Sequence, residues 1–122
     1  FQSSLSDGLE DKYIDDCFVN IAICYMKLKL FKEAEGFFLQ AISASKITGD
    51  KIDFEGPIYG KTSDRARLGL IRIELVKKNL EAAEKILEEL KDSDSYIEVS
   101  GNKISMFDIG NSEIKTAKST YL

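Results

Sequence analysis

The segment Phe18–Ala41, FVNIAICYMKLKLFKEAEGFFLQA, constrains this chain most. Ile14, Cys17, Phe18, Ile21, Tyr25 and Leu28 recur every three or four residues, the period of one helix face. The pattern predicts an amphipathic helix over 11–30 and a turn at Lys29–Phe31. A second helix follows over 32–46, with Ala34, Phe38, Ala41, Ile42 and Ser45 inward and Phe31 packing at its start. Gly49 ends it, because glycine takes the left-handed conformation after a helix at little cost. Ala22, Ala34 and Ala41 sit between larger apolar residues, where a neighbouring helix can approach closely.

The pattern then returns. Thr62 or Ser63 can cap a helix running to about Lys78, with Ala66, Leu70, Ile71 and Ile73 inside. Asn79 can cap its partner, Leu80–Lys91, where Ala83, Leu87 and Leu90 stand as Ala34, Phe38 and Ala41 do in the first pair. Between the pairs, residues 50–61 carry Gly56-Pro57 and Gly60, which punctuate regular structure.

The order large, aliphatic, small, aromatic in Phe18, Ile21, Ala22 and Tyr25, followed by Ala34, Phe38 and Ala41, resembles the tetratricopeptide repeat. The second unit departs from that pattern at Arg67 and Glu74, which replace the large aromatic and the tyrosine. Ala22 and Ile71 are 49 residues apart, where a standard repeat has 34, so 50–61 is an insertion or lengthens the helices. The 34-residue register relates Ala83 to Ala117 and Leu87 to Tyr121. It predicts a degenerate third unit, with a first helix over 95–107 and a second capped at Asn111 or Ser112. Gly101 would lie inside the former at a cost of ~1 kcal/mol. Phe1–Leu5 would be the tail of a preceding repeat.

The resemblance implies an all-α fold, a right-handed α-solenoid of antiparallel helix pairs in a single domain over 1–122. Its repeats are about 11–49, 62–92 and 95–122. Because the chain begins at Phe1 rather than Met, it is expected to be a fragment of a longer protein. The implied function is a scaffold module that binds a protein or peptide in a concave groove lined by the first helix of each pair. That lining falls on Asp16, Val19, Asn20, Ile23, Met26 and Lys27. It continues on Arg65, Leu68, Gly69, Arg72, Leu75 and Val76, and then on Val99, Asn102, Lys103 and Met106. The expected binding residues are Asn20, Ile23, Lys27, Arg65, Leu68, Arg72 and Asn102. An Asn can both donate to and accept from a peptide backbone, and an Arg can hold a carboxylate through two parallel bonds. Two narrower versions share the resemblance. One is the peptide-sensing domain of bacterial regulators, whose repeats have longer helices. The other is the co-chaperone clamp for acidic chain ends, which uses an Asn where Asn20 stands and two cations four residues apart in the next repeat. Here those two places hold Arg65 and Gly69.

Residue chemistry weighs against an enzyme. The chain has no histidine, the commonest general base and metal ligand. Gly60-Lys61-Thr62 is no phosphate loop, since residue 55 is Glu rather than the required Gly. Asp15-Asp16 and Glu88-Glu89 read as solvated faces, so no metal and no cofactor is expected. Net charge is −4, which argues against nucleic acid. No apolar run approaches the ~20 residues that span a bilayer. Cys17 and Cys24 lie ~10 Å apart along one helix, too far for a disulfide, and read as small buried hydrophobes in a reducing compartment. A cytoplasmic or otherwise intracellular location follows as an expectation. So does self-association through exposed repeat ends.

Overall fold

A computed structural model of the chain describes residues 14–48, 52–55 and 58–121. The elements run α1 (Ile14–Lys27), α2 (Phe31–Thr48), β1 (Ile52–Glu55), β2 (Ile58–Lys61), α3 (Thr62–Val76), α4 (Leu80–Glu89), β3 (Tyr96–Val99), β4 (Asn102–Ser105) and α5 (Met106–Tyr121). The chain is mostly helical, as predicted, and the first four helices fall where the periodicity puts them. It also carries an antiparallel sheet in the order β1-β2-β3-β4, which an all-α chain would lack.

α1 and α3 end alike. Lys29 and Lys78 take left-handed φ values of 62° and 64°. Behind the first, the N–H of Leu30 donates to Tyr25 O at 2.9 Å and that of Lys29 to Met26 O at 3.0 Å. Behind the second, Asn79 donates to Glu74 O at 2.8 Å and Lys78 to Leu75 O at 3.1 Å. This double bond pattern is the Schellman motif, and it turns each helix sharply into its partner. The Asn79 side chain then accepts from the Ala82 N–H at 3.3 Å, the predicted cap of α4.

Alanines set the close approaches. Ala22, Ala34, Ala41, Ala66 and Ala83 are all fully buried. One apolar cluster joins α1, α2 and one face of α3 through Val19, Ala22, Ala34, Phe38, Ala41, Ala66, Leu70 and Ile73. A second joins the other face of α3 to α4 and α5 through Leu68, Ile71, Leu75, Ala83, Leu87, Leu90, Met106 and Ile114. α3 is therefore the shared wall of both cores. Along α1, Tyr25 stacks on Phe37 with ring centroids 5.5 Å apart.

The hairpins overturn two predictions. The segment 95–107 is not a helix. Ser100 and Gly101 have φ values of 52° and 81°, as a two-residue type I′ turn requires, and they fold Tyr96–Val99 back on Asn102–Ser105. Gly101 thus serves a turn rather than weakening a helix. α5 begins at Met106 and is capped by Ser105, whose Oγ accepts from the Asp108 N–H at 3.0 Å, so Asn111 and Ser112 lie within it. Within 50–61, β1 and β2 form the matching hairpin; its turn residues and the predicted stop at Gly49 lie outside the described residues. Ile52, Ile58 and Thr62 open β1, β2 and α3, and Tyr96, Asn102 and Met106 open β3, β4 and α5, each 44 residues later. This 44-residue spacing relates a hairpin and the helix after it, where the resemblance implied 34-residue helix pairs. Two smaller corrections follow. α3 is preceded by Lys61 without a side-chain cap, so neither Thr62 nor Ser63 caps it. Cys24 is exposed and Cys17 half-buried, and neither is in a disulfide. The segment Phe1–Leu5 lies outside the described residues.

Candidate functional site

A pocket of about 280 Å³ opens between α1, α3 and the sheet. α1 contributes Ile23, Met26 and Lys27; α3 contributes Arg65, Leu68, Gly69 and Arg72; β2 and β3 contribute Ile58 and Ile97. Phe38 of α2 and Met106 of α5 complete it. Helical spacing explains the convergence. Residues 65, 68, 69 and 72 occupy one stripe of α3, and 23, 26 and 27 occupy one stripe of α1.

Gly69 shapes the wall contributed by α3. A Cβ there would clash with the Cζ end of the Phe38 ring, so a residue without a side chain lets that ring seat as it does against α3. The sheet is positioned by Asp64, a buried carboxylate in the first turn of α3. Its Oδ2 accepts from Ser93 Oγ at 2.6 Å and from Ser95 Oγ at 2.8 Å, and its Oδ1 accepts from Arg67 at 3.1 Å. Ser95 in turn accepts from the Lys61 N–H at 3.1 Å, and its carbonyl accepts from the Met106 N–H at 2.9 Å. One serine thus ties the end of β2 to the start of α5. The approach is close enough that a Cβ on Gly60 would lie 3.0 Å from Ser95 Cα.

The polar part of the lining is cationic: Lys27, Arg65 and Arg72, with no carboxylate among the described lining residues. Arg72 is engaged by Glu113 of α5 in a two-pronged pair, Nε to Oε1 at 3.0 Å and Nη2 to Oε2 at 2.9 Å. A partner carboxylate would have to compete with Glu113 for that guanidinium. Arg65 is buried and Lys27 exposed.

Five of the seven expected binding residues, Ile23, Lys27, Arg65, Leu68 and Arg72, therefore meet in one pocket. Asn20 lies exposed on α1 and is not part of the lining. Asn102 opens β4 and is also outside it, because the helical register that selected it does not exist there. Val19 and Leu75 are core residues rather than groove lining, and Val76 is exposed away from the pocket. Ile58 and Ile97 were not anticipated. The signal beside Ile97 is the Ser100-Gly101 turn that closes its hairpin. Among the described residues no cluster of His, Cys, Asp or Glu suits a metal ion, and no helix is long and apolar enough to cross a membrane.

No protein-family model matches the chain, and comparison with curated proteins and with solved structures finds no match.

Proposed function

We propose that this chain is a peptide- or protein-binding module of a helical repeat scaffold, and that the pocket between α1, α3 and the sheet is its contact surface. The observation that carries this reading is the meeting of apolar Ile23, Leu68, Ile58 and Ile97 with cationic Lys27, Arg65 and Arg72 around one concavity. Apolar lining with a few placed polar groups is the usual make-up of a ligand site. The resemblance of the α1–α2 and α3–α4 pairs to tetratricopeptide repeats supports the helical repeat part of this reading. A co-chaperone clamp is disfavoured, since Gly69 stands where its second cation belongs and the Phe38 ring leaves no room for one.

The test is selection from a random 12-residue peptide display library on the wild-type chain, with the Ile23→Glu variant in parallel. Circular dichroism confirms that the variant is folded. Enriched peptides that bind wild type and lose at least tenfold on the variant support the assignment. Selection that enriches nothing, or peptides indifferent to Ile23→Glu, would refute it.

A further inference from the structure

We infer that α5 caps the helical stack. It packs inward on α3 and α4 but turns a polar face outward, so no further hairpin-and-helix unit seats on it and the chain does not self-associate through that side. This reaches beyond the pocket and does not depend on it. Three comparisons across the 44-residue spacing carry it.

The first fixes the equivalence. The hairpin register repeats, Ile52↔Lys61 in one and Tyr96↔Ser105 in the next. On α3, Ala66, Leu70 and Ile73 join the core shared with the preceding helices, α1 and α2. Their counterparts on α5 are Gly110, Ile114 and Ala117. Gly110 and Ile114 are buried, and Ala117 packs against the second core. A Cβ on Gly110 would stand 3.0 Å from Leu87 of α4 and 3.2 Å from Ile71 of α3, so the inward face of α5 lies tight on both helices.

The second is the outward face. Leu68, Ile71 and Leu75 join α3 to the elements that follow it, α4 and α5. Their counterparts on α5 are Ser112, Lys115 and Ser119, all exposed. Exposure there is what any end of a stack shows; the change of residue type is the signal. A unit covering this face would bury an ammonium and two hydroxyls where the internal junction buries three aliphatic side chains. A polar outer face is what a terminal repeat needs to stay in solution.

The third is the strand junction. β2 takes β3 through Ile58↔Ile97 and Tyr59↔Tyr96, whose rings stack 4.9 Å apart. On β4 the counterparts of Ile58 and Tyr59 are Asn102 and Lys103, both exposed. The Lys103 ammonium lies 5.0 Å from the centre of the Tyr96 ring, and a lysine on an edge strand discourages further pairing. Beside that pair the junction needs Gly60, where a Cβ would lie 3.0 Å from Ser95 Cα. Ile104 stands at the counterpart of Gly60, so a strand cannot come in as β3 does. Asp108 does match Asp64, but a carboxylate in the first turn of α5 suits the helix dipole without any partner.

The experiment extends the chain. A second copy of residues 77–121 is added after Thr120, the counterpart of Val76, so that α5 takes the place of α3 before it. The same extension is made on a variant that carries the residues of the internal junction, Ile104→Gly, Ser112→Leu, Lys115→Ile and Ser119→Leu. Circular dichroism of the unextended variant confirms that it is folded. Amide hydrogen exchange then reads the added copy. Its amides should exchange at least tenfold faster on the wild-type chain than on the variant. Equal protection on both overturns the inference. So does an added copy unprotected on both, since those four residues would then not be what closes the end. Sedimentation equilibrium of the unextended chain gives a second reading that does not rely on the fourfold variant. The wild type should be monomeric, or associate in a way indifferent to the exposed changes Lys115→Glu and Ser119→Lys. Association that both changes weaken at least fivefold would make this face an interface and overturn the inference. The pocket is untouched by any of these outcomes and is tested separately by peptide display.

Discussion

Ser95 Oγ donates to Asp64 Oδ2 across 2.8 Å, linking the residue that leads into β3 with the first turn of α3. Both residues are buried, so the bond is shielded from water. Asp64 also lies in the positive end of the α3 dipole, which favours its negative charge. Removing either partner leaves polar groups unpaired in the interior. Asp64→Ala should cost about 3 kcal/mol and Ser95→Ala about 1–2 kcal/mol. A double-mutant cycle by urea denaturation should show the pair to be coupled, with the double variant less destabilised than the two single losses together. Additive losses would mean that the two residues act separately.

Gly69 and Phe38 are predicted to be coupled through volume. Gly69→Ala sets a methyl against the edge of the Phe38 ring, closer than contact distance, and should destabilise by about 1–3 kcal/mol, despite alanine's better helix propensity. In the background of Phe38→Leu the same change should cost much less. Thermal unfolding of the four proteins checks this.

Lys29 and Lys78 hold a conformation that glycine adopts freely. Both side chains are exposed, so little packing is lost on replacement. Lys29→Gly and Lys78→Gly should each stabilise by about 0.5–1 kcal/mol, read as a higher urea midpoint with an unchanged slope.

Thr62 Oγ1 is buried and has no hydrogen-bond partner among the described residues. Thr62→Val keeps the shape and removes the orphaned hydroxyl, so it should raise stability by about 1–2 kcal/mol. A loss of stability would show that the hydroxyl is satisfied in solution.

Lys77 bridges α3 to Glu35 of α2 at 2.9 Å and to Glu74 at 3.4 Å. The hydrogen bond to Glu35 raises its pKa above the ordinary 10.5, against a smaller lowering by burial, and the charges of Glu35 and Glu74 add to the rise. A group whose folded pKa is raised stabilises fully below its unfolded pKa and loses that contribution as pH climbs through the folded value. Its share should therefore be constant from pH 6 to 9 and fade above about 10.5. The side chain is nearly half exposed, so Lys77→Met should lower stability by less than ~1 kcal/mol at neutral pH. The variant should also decline less steeply in alkali, as melting curves across pH would record.

The helix pairs were legible because α1–α4 carry three- and four-residue spacing over ten residues or more, with alanines marking the contacts. The hairpins were not. Four-residue strands such as Ile58–Lys61 and Tyr96–Val99 are too short for alternation to compete with a helical register projected from the preceding repeat. That projection misplaced Asn102 and hid the Ser100-Gly101 turn. The pocket residues on α1 and α3 were legible because one face of a helix is a matter of counting. Ile58 and Ile97 reach the pocket only through strand pairing. The Arg72–Glu113 pair spans 41 residues, a distance over which side-chain spacing carries no information.

The chain has two methionines, Met26 and Met106, and both line the pocket from opposite ends of the sequence. Methyl NMR of the protein labelled at methionine therefore watches the proposed site and nothing else. On titration with a peptide recovered by display, both methyl resonances should move and saturate with one common affinity, matching that found by calorimetry. Calorimetric binding with neither methyl moving would place the contact surface elsewhere and contradict the account.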